Sequence, residues 1–199
     1  MSSTIYLEGG GDSRDLQIRC QKGFRKLLER CGYRGRMPRL VACGGRNAAF
    51  DAFKTALAIA RKNDFVALWI DSEDPIADIE ATWDHLKARD GWDMPDGATN
   101  EQVLLMTTCM ETWIVADWTT LADYFGANLQ ESAIPALHNL EERARDAIQK
   151  SLTHATRNCR NAYAKGKRSF EVLGKLDPAT LSTHLPSFVR IRRILDASL

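Results

Sequence analysis

The sequence predicts an α/β protein in which helices cover a parallel sheet. Two observations support this class: short β-rich runs alternate with segments of helical periodicity, and short connections join them. The chain has 199 residues, of which 44% are hydrophobic and 27% charged. That composition suffices for one domain with a hydrophobic core, and it excludes a disordered chain or a small disulfide-bonded protein.

The first predicted strand and helix lie on either side of a glycine turn. Residues 4–7 are β-rich, and Glu8 with three following glycines ends the run. Asp12 or Ser13 then caps a helix whose apolar residues recur at helical spacing. We expect this helix to end near Gly32.

Two further strands follow the same pattern. A strand over 39–43 leads through a glycine turn into a helix that Asn47 caps. Residues 65–70 are continuously apolar, which is typical of a central strand covered on both faces. Pro75 is expected at the first position of the next helix.

The second half of the chain is expected to contain one more strand and otherwise mostly helices. Residues 103–109 form the fourth strand and 110–125 a helix, and 134–164 are a long amphipathic helical region. The economical interpretation is an α/β domain over 1–125 with a basic helical extension, 126–199, packed on the same domain.

Charge is segregated along the chain although the net charge is only +1. Residues 1–63 hold 13 basic and 5 acidic side chains, 64–142 hold 2 and 17, and 143–199 hold 12 and 4. The net charge favours neither a nucleic acid nor a membrane as a partner. The segregation places an acidic segment between two basic ones.

Signals for a membrane or for export are missing from the sequence. No apolar run approaches the roughly 18 residues of a membrane span, and no charged region precedes the first strand as in a signal peptide. We therefore expect a cytoplasmic protein without a membrane partner, and the oligomeric state stays open.

The cysteines and histidines form no recognisable ligand pattern. Five cysteines include no CxxC pair, and four histidines show no HExxH spacing. A zinc site and a disulfide framework are therefore not expected.

Acidic side chains follow the first and third predicted strands. Because right-handed crossovers bring the carboxyl ends of parallel strands to one edge, we expect Glu8 and Asp71 there, with Glu73 two residues further on. Carboxylate oxygens are the ligands that Mg²⁺ prefers. Turn chemistry at the strand ends is the alternative. Asp74 precedes a proline that opens a helix, so we expect it first as an N-cap and second as a metal ligand.

Glu111 follows the fourth predicted strand. It is in a position to reach the same edge of the sheet. It is equally well placed in the first turn of a helix, where a carboxylate is favoured by the helix dipole. The residues alone leave both interpretations open.

Five sequence blocks together resemble a small bacterial Toprim-like family of unknown function. The blocks are YLEGGGDSRDL, RLVACGGRNAAFDAF, ALWIDSEDP, CMETWIVADW and KGKRSFEVLGKLDP, and they span nearly the whole chain. The order of elements is similar to that of the Toprim domain of topoisomerases, primases and overcoming-lysogenization-defect-type nucleases. Genes of the family often lie beside AAA or ABC-type ATPases in presumed phage-defence loci.

The resemblance implies a Toprim-like, Rossmann-like domain over 1–125 that uses Mg²⁺ or Mn²⁺ to hydrolyse phosphodiester bonds. Glu8 corresponds to the Toprim glutamate, and Asp71 and Glu73 correspond to the two acids of its DxD element. Glu73 departs from that pattern, because the side chain of a glutamate is longer than that of the aspartate at this position in the family. Glu111 becomes a further ligand or a general base. The implied metal ligands are Glu8, Asp71, Glu73 and Asp74.

The resemblance also implies contacts between basic residues and nucleic acid. Lys165 lies in the family's basic loop, where related nucleases use a lysine to stabilise charge at the scissile phosphate; a solvated loop is the alternative. DNA, tRNA and other RNA are all compatible substrates. The expected nucleic-acid-binding residues are Arg46, Lys165, Lys167, Arg168, Arg190 and Arg193.

Two other classes of function compete with a nuclease. One is a non-catalytic member of the family that docks on an ATPase as a regulatory subunit. The other is a phosphoryl-handling α/β domain, but its phosphatase form needs an aspartate where this chain has Glu8, and its receiver form is far shorter. The glycine turns lack the GxxxxGK[ST] and GxGxxG patterns of nucleotide-binding loops.

Overall fold

A single four-stranded sheet organises the computed structural model, which describes residues 2–199. Its strands are β1 (Ser3–Leu7), β2 (Arg39–Ala42), β3 (Phe65–Asp71) and β4 (Val103–Met106). They lie in the order β2-β1-β3-β4, and every neighbouring pair is parallel. The predicted α/β class with a parallel sheet is confirmed.

Nine α-helices surround the sheet in the described part of the chain. Ser13 caps the first of them, because its hydroxyl accepts a hydrogen bond from the Leu16 amide. The helices are α1 (Arg14–Arg30), α2 (Arg46–Ala58), α3 (Thr82–Asp90), α4 (Met110–Ala116), α5 (Trp118–Phe125), α6 (Arg145–Thr156), α7 (Lys167–Leu173), α8 (Pro178–His184) and α9 (Pro186–Ser198).

Strand β3 is covered on both faces, as its apolar run predicts. Ala67 and Trp69 face a large core that includes α1, α4 and the C-terminal helices. Val66, Leu68 and Ile70 face a smaller core built with α2 and α3. Alternating side chains of one strand thus join the two cores, and this fixes the register of the sheet.

The C-terminal helices share the larger core with the sheet. Phe188 of α9 packs edge-on against Trp113 of α4, with ring centroids 5.0 Å apart. The ring centroid of Trp113 in turn lies 6.1 Å from that of Trp69 in β3. No helix in residues 2–199 combines the length and apolar character that a membrane crossing requires.

Several predicted helix boundaries are wrong. Asn47 lies inside α2, and Gly45 is the N-cap. The helix expected from Pro75 begins only at Thr82, and Trp83 in its first turn donates its indole N–H to the Thr99 carbonyl at 3.0 Å.

The second half of the chain is divided into shorter helices than its periodicity predicts. The helix expected over 110–125 divides at Asp117, whose carboxylate accepts from the Thr120 amide at 3.0 Å and the Asp177 amide at 2.7 Å. Within 134–164 the structure has a single α-helix, α6, preceded by a short 3₁₀ turn. Local capping and turns therefore interrupt the amphipathic pattern.

Candidate functional site

A cleft of about 330 Å³ opens at the carboxyl edge of the sheet. The ends of β1 and β3 deliver Glu8 and Asp71 to it, so the structure brings these two predicted residues together as the parallel topology requires. The charged residues that line the cleft are Glu8, Asp71, Glu111, Arg145 and Lys165.

Glycines shape the wall of the cleft between β1 and α1. Gly9 and Gly44 exchange backbone hydrogen bonds of 2.8 and 3.1 Å, which join the ends of β1 and β2. A Cβ on Gly44 would lie 2.5 Å from the Gly11 carbonyl oxygen, so this approach requires glycine.

Arg46 ties the two strand ends together. Its Nη1 donates to Glu8 Oε2 at 3.3 Å and to the backbone carbonyl of Asp71 at 2.5 Å. Asp90 holds the other side of the guanidinium through bonds of 2.7 and 3.0 Å. The side chain is only 13% exposed. Arg46 therefore positions Glu8, and its expected contact with nucleic acid stays a prediction.

Asp71 occupies an electrostatically unfavourable position. Its backbone amide donates to Glu8 Oε2 at 3.3 Å, and its Oδ1 accepts from the Met110 amide at 3.0 Å. Burial, followed by the negative charges of Glu8 and Glu111, raises the pKa of Asp71 to about 8, although Lys165 lowers it. A cation bound here would stabilise the ionised carboxylate.

Glu111 lies in the same cleft but is held by other side chains. It is 2% exposed. The Tyr163 hydroxyl donates to its Oε1, and Gln149 Nε2 donates to its Oε2 at 3.2 Å. Burial and the neighbouring Glu111 carboxylate raise the pKa of Tyr163, so the phenol remains a hydrogen-bond donor. Tyr163 and Gln149 thus hold the Glu111 carboxylate in place in the wall.

Glu73 and Asp74 do not line the cleft. After Asp71 the chain follows β4, because the Glu73 amide donates to the Thr108 carbonyl at 2.8 Å, and Glu73 adopts a left-handed φ of 71°. Its carboxylate pairs with Arg145 and lies 3.7 Å from an Arg89 nitrogen. Of the two acids assigned to the DxD element, only Asp71 therefore lines the cleft.

Asp74 does not act as the expected N-cap. No helix begins beside it, since α3 starts at Thr82. The side chain is 68% exposed and pairs with Arg89 Nε at 3.3 Å. The expectation of an N-cap is wrong, and the structure does not group Asp74 with Glu8 and Asp71.

The donor set suits a loosely held cation. Among residues 2–199, no group of three or more histidine, cysteine, aspartate or glutamate side chains is arranged to hold a metal. Glu8 Oε1 and Asp71 Oδ2 accept no hydrogen bond from the described residues. Mg²⁺ commonly keeps several waters and binds through one or two carboxylates together with substrate phosphates. The two carboxylates therefore fit such an ion, with phosphate or water completing its ligands.

The basic loop divides into free and paired residues. Lys165 lines the cleft, and no carboxylate of the described chain lies within 4.0 Å of its Nζ or that of Lys167. Arg168, by contrast, pairs with Glu171 at 3.0 Å. Lys165 is therefore the cation of this loop that is available to a ligand in the cleft.

The C-terminal arginines have structural partners. Arg190 is 4% exposed and donates to Glu80 at 3.1 Å and to the Val103 carbonyl at 2.9 Å. Arg193 also pairs with Glu80, at 2.7 Å. The Arg190 side chain is buried where α9 packs against β4, and its expected contact with nucleic acid stays a prediction.

Residues 7–196 match the protein-family model "Domain of unknown function (DUF4276)". The chain belongs to this family. No curated protein and no solved structure matches it.

Sequence reasoning missed several residues of the DUF4276 cleft. Arg145, Gln149 and Tyr163 come from a segment that was expected to be one long helix. Arg145 lines the cleft, whereas Gln149 and Tyr163 support it through their bonds to Glu111, and these contacts form only when distant parts of the chain pack together.

Proposed function

We propose that this DUF4276 protein is a cytoplasmic, divalent-metal-dependent nuclease, and that it serves as the effector of a phage-defence system. The observation that supports this most is the pairing of two carboxylates, Glu8 and Asp71, with an unpaired Lys165 in one cleft. Metal-dependent hydrolysis of a phosphodiester uses acidic residues that hold the cation and a separate basic residue that contacts the phosphate.

Glu8 and Asp71 would hold Mg²⁺ or Mn²⁺ through their free oxygens. A bound ion would polarise a phosphate oxygen and lower the pKa of a coordinated water. Arg46 keeps Glu8 directed at this position, and the Met110 amide fixes Asp71. Because the pKa of Asp71 is raised, a bound cation would favour its ionised form at neutral pH.

Lys165 and Glu111 would act on the substrate side of the cleft. Lys165 is free to contact a phosphate and to stabilise negative charge on the leaving oxygen. Glu111, fixed by Tyr163 and Gln149, adds negative charge that strengthens cation binding. Neither role requires base recognition, so little sequence preference is expected.

The test is cleavage of fluorescent DNA and RNA oligonucleotides, including tRNA, with Mg²⁺ or Mn²⁺ and with EDTA. Asp71→Asn is expected to abolish metal-dependent cleavage and to weaken Mn²⁺ binding measured by calorimetry. The control is Asp123→Asn, which changes an exposed carboxylate of α5 outside the cleft. Equal cleavage by the two variants would contradict the assignment.

A regulatory subunit of an AAA or ABC-type ATPase is the second candidate. It is favoured by the ion pairs that already neutralise Glu73 through Arg145 and Glu8 through Arg46. In that case, wild type would bind no Mn²⁺ and cleave nothing, with or without the ATPase, but would form a stable complex with it.

A further inference from the structure

A second groove lies beside the cleft, between α1 and α7. It has a volume of about 250 Å³. Phe170 lines both the cleft and this groove, so the two are separated by the width of one side chain. The basic residues that line the groove are Arg19, Lys22, Lys26 and Lys175.

The groove exists because α1 and α7 approach closely at two glycines. A Cβ on Gly23 would lie 2.6 Å from the Phe170 carbonyl oxygen, and one on Gly174 would lie 3.0 Å from Lys26 Cβ. The spacing of Arg19, Lys22 and Lys26 places them on one face of α1, beside this contact.

Three lysines of the groove have no acidic partner. Its single lining carboxylate, Glu171, is already bonded by Arg168 at 3.0 Å and by the Tyr124 hydroxyl at 2.6 Å. No carboxylate of the described residues lies within 4.0 Å of Lys22, Lys26 or Lys175, and all three side chains are exposed. Their mutual repulsion would be relieved by a bound polyanion.

We propose that this groove binds the phosphate backbone of the nucleic acid whose scissile bond lies in the cleft, an inference that rests on the proposed function. Lys165 lies before the start of α7 and Lys175 just beyond its end. The seven residues of α7 span about 10 Å at 1.5 Å each, a length along the helix axis over which one strand of a stacked duplex carries about three phosphates at an axial rise of 3.4 Å.

A small phosphate ester cannot reach from one site to the other, whereas a polynucleotide can. Its phosphates would meet Lys165 at the cleft and the three lysines beyond Phe170. Lys–phosphate contacts act as point charges without base recognition, so the groove would set affinity and register rather than sequence preference. Tyr124 is partly exposed and also lines the groove, with Lys175 Nζ 6.0 Å from the centroid of its ring.

The experiment measures how the affinity for a fluorescent 12-nucleotide single strand depends on salt. EDTA is present throughout, so that hydrolysis is irrelevant to the result. The groove variant combines Lys22→Ala, Lys26→Ala and Lys175→Ala. The charge-matched control combines Lys62→Ala, Lys87→Ala and Lys150→Ala, which lie outside both sites and are exposed.

We expect the slope of log Kd against log salt to fall by about 2 in the groove variant, at about 0.7 for each lost phosphate contact, and to stay at the wild-type value in the control. No binding by wild type, an unchanged slope in the groove variant, or an equal fall in the control would overturn the inference. Hydrolysis of bis(4-nitrophenyl) phosphate by wild type, which needs only the cleft, tests the proposed function separately.

Discussion

The amide of Asp71 donates to Glu8 Oε2 at 3.3 Å, which couples the ends of two adjacent parallel strands. Arg46 bonds to the same Glu8 oxygen and to the Asp71 carbonyl, so the two acidic residues are held as one unit. The negative charges of Glu8 and Glu111 disfavour the ionised form of Asp71. A cation bound in the cleft would offset this repulsion.

Asp71→Asn should stabilise the metal-free protein at alkaline pH. The pKa of Asp71 is raised by burial and by its acidic neighbours from 3.8 to about 8. A raised pKa in the folded state gives stability that is present below pH 3.8 and is lost as pH rises through about 8. Asparagine keeps the acceptor for Met110 but carries no charge, so the variant should escape this loss.

Melting temperatures measured in EDTA from pH 5 to pH 9 test this. The difference in Tm between Asp71→Asn and wild type should grow across this range and level off above about pH 8. Asp123→Asn should follow wild type. Parallel profiles for Asp71→Asn and wild type would show that Asp71 is not destabilised by its surroundings.

The sheet was predictable because strand signals are local, whereas the cleft was only half predictable. Glu8 and Asp71 follow from the rule that parallel strands end at one edge. Glu73 departs from the cleft because its left-handed φ and its bond to Thr108 redirect the chain, and neither is visible in a row of acidic letters.

The partners of Glu111 and the fate of Arg190 depend on long-range packing. Tyr163 is 52 residues from Glu111, and Arg190 is 87 residues from the Val103 carbonyl that it bonds. From its sequence, the basic helix α9 is expected to be exposed to solvent. The structure shows that Arg190 instead donates to backbone carbonyls at the edge of the sheet. Such burial cannot be inferred from charge alone.

Arg190→Ala should destabilise the protein much more than Arg193→Ala. Removing Arg190 takes a charged hydrogen-bond donor away from each of the Val103 and Asn100 carbonyls, at a cost of about 2–4 kcal/mol. Arg193 is an exposed partner of the same Glu80, so its loss should cost about 0–1 kcal/mol. Urea unfolding of the two variants gives the comparison, and equal losses would contradict the burial of Arg190.

Tyr163→Phe should weaken the fold more than Tyr124→Phe. Both tyrosines donate to a glutamate, but Glu111 is buried whereas Glu171 is partly exposed and has Arg168 as a second partner. Loss of a hydrogen bond to a buried carboxylate costs about 1.5–3 kcal/mol. Chemical denaturation measures both changes. A larger loss for Tyr124→Phe would show that Tyr163 does not support Glu111.

Gly10→Ala should disrupt the wall of the cleft, and Gly11→Ala provides the matched comparison. Both glycines have a positive φ, 91° and 49°, so each substitution incurs backbone strain of about 1 kcal/mol. A Cβ on Gly10 would also lie 2.7 Å from the backbone of Gln17, whereas one on Gly11 meets no atom within 4 Å. Gly10→Ala must therefore shift the start of α1 and should lower Tm further than Gly11→Ala. Because this turn carries Glu8, Gly10→Ala should also weaken Mn²⁺ binding measured by calorimetry. Equal Tm values for the two variants would contradict the close approach of Gly10 to α1.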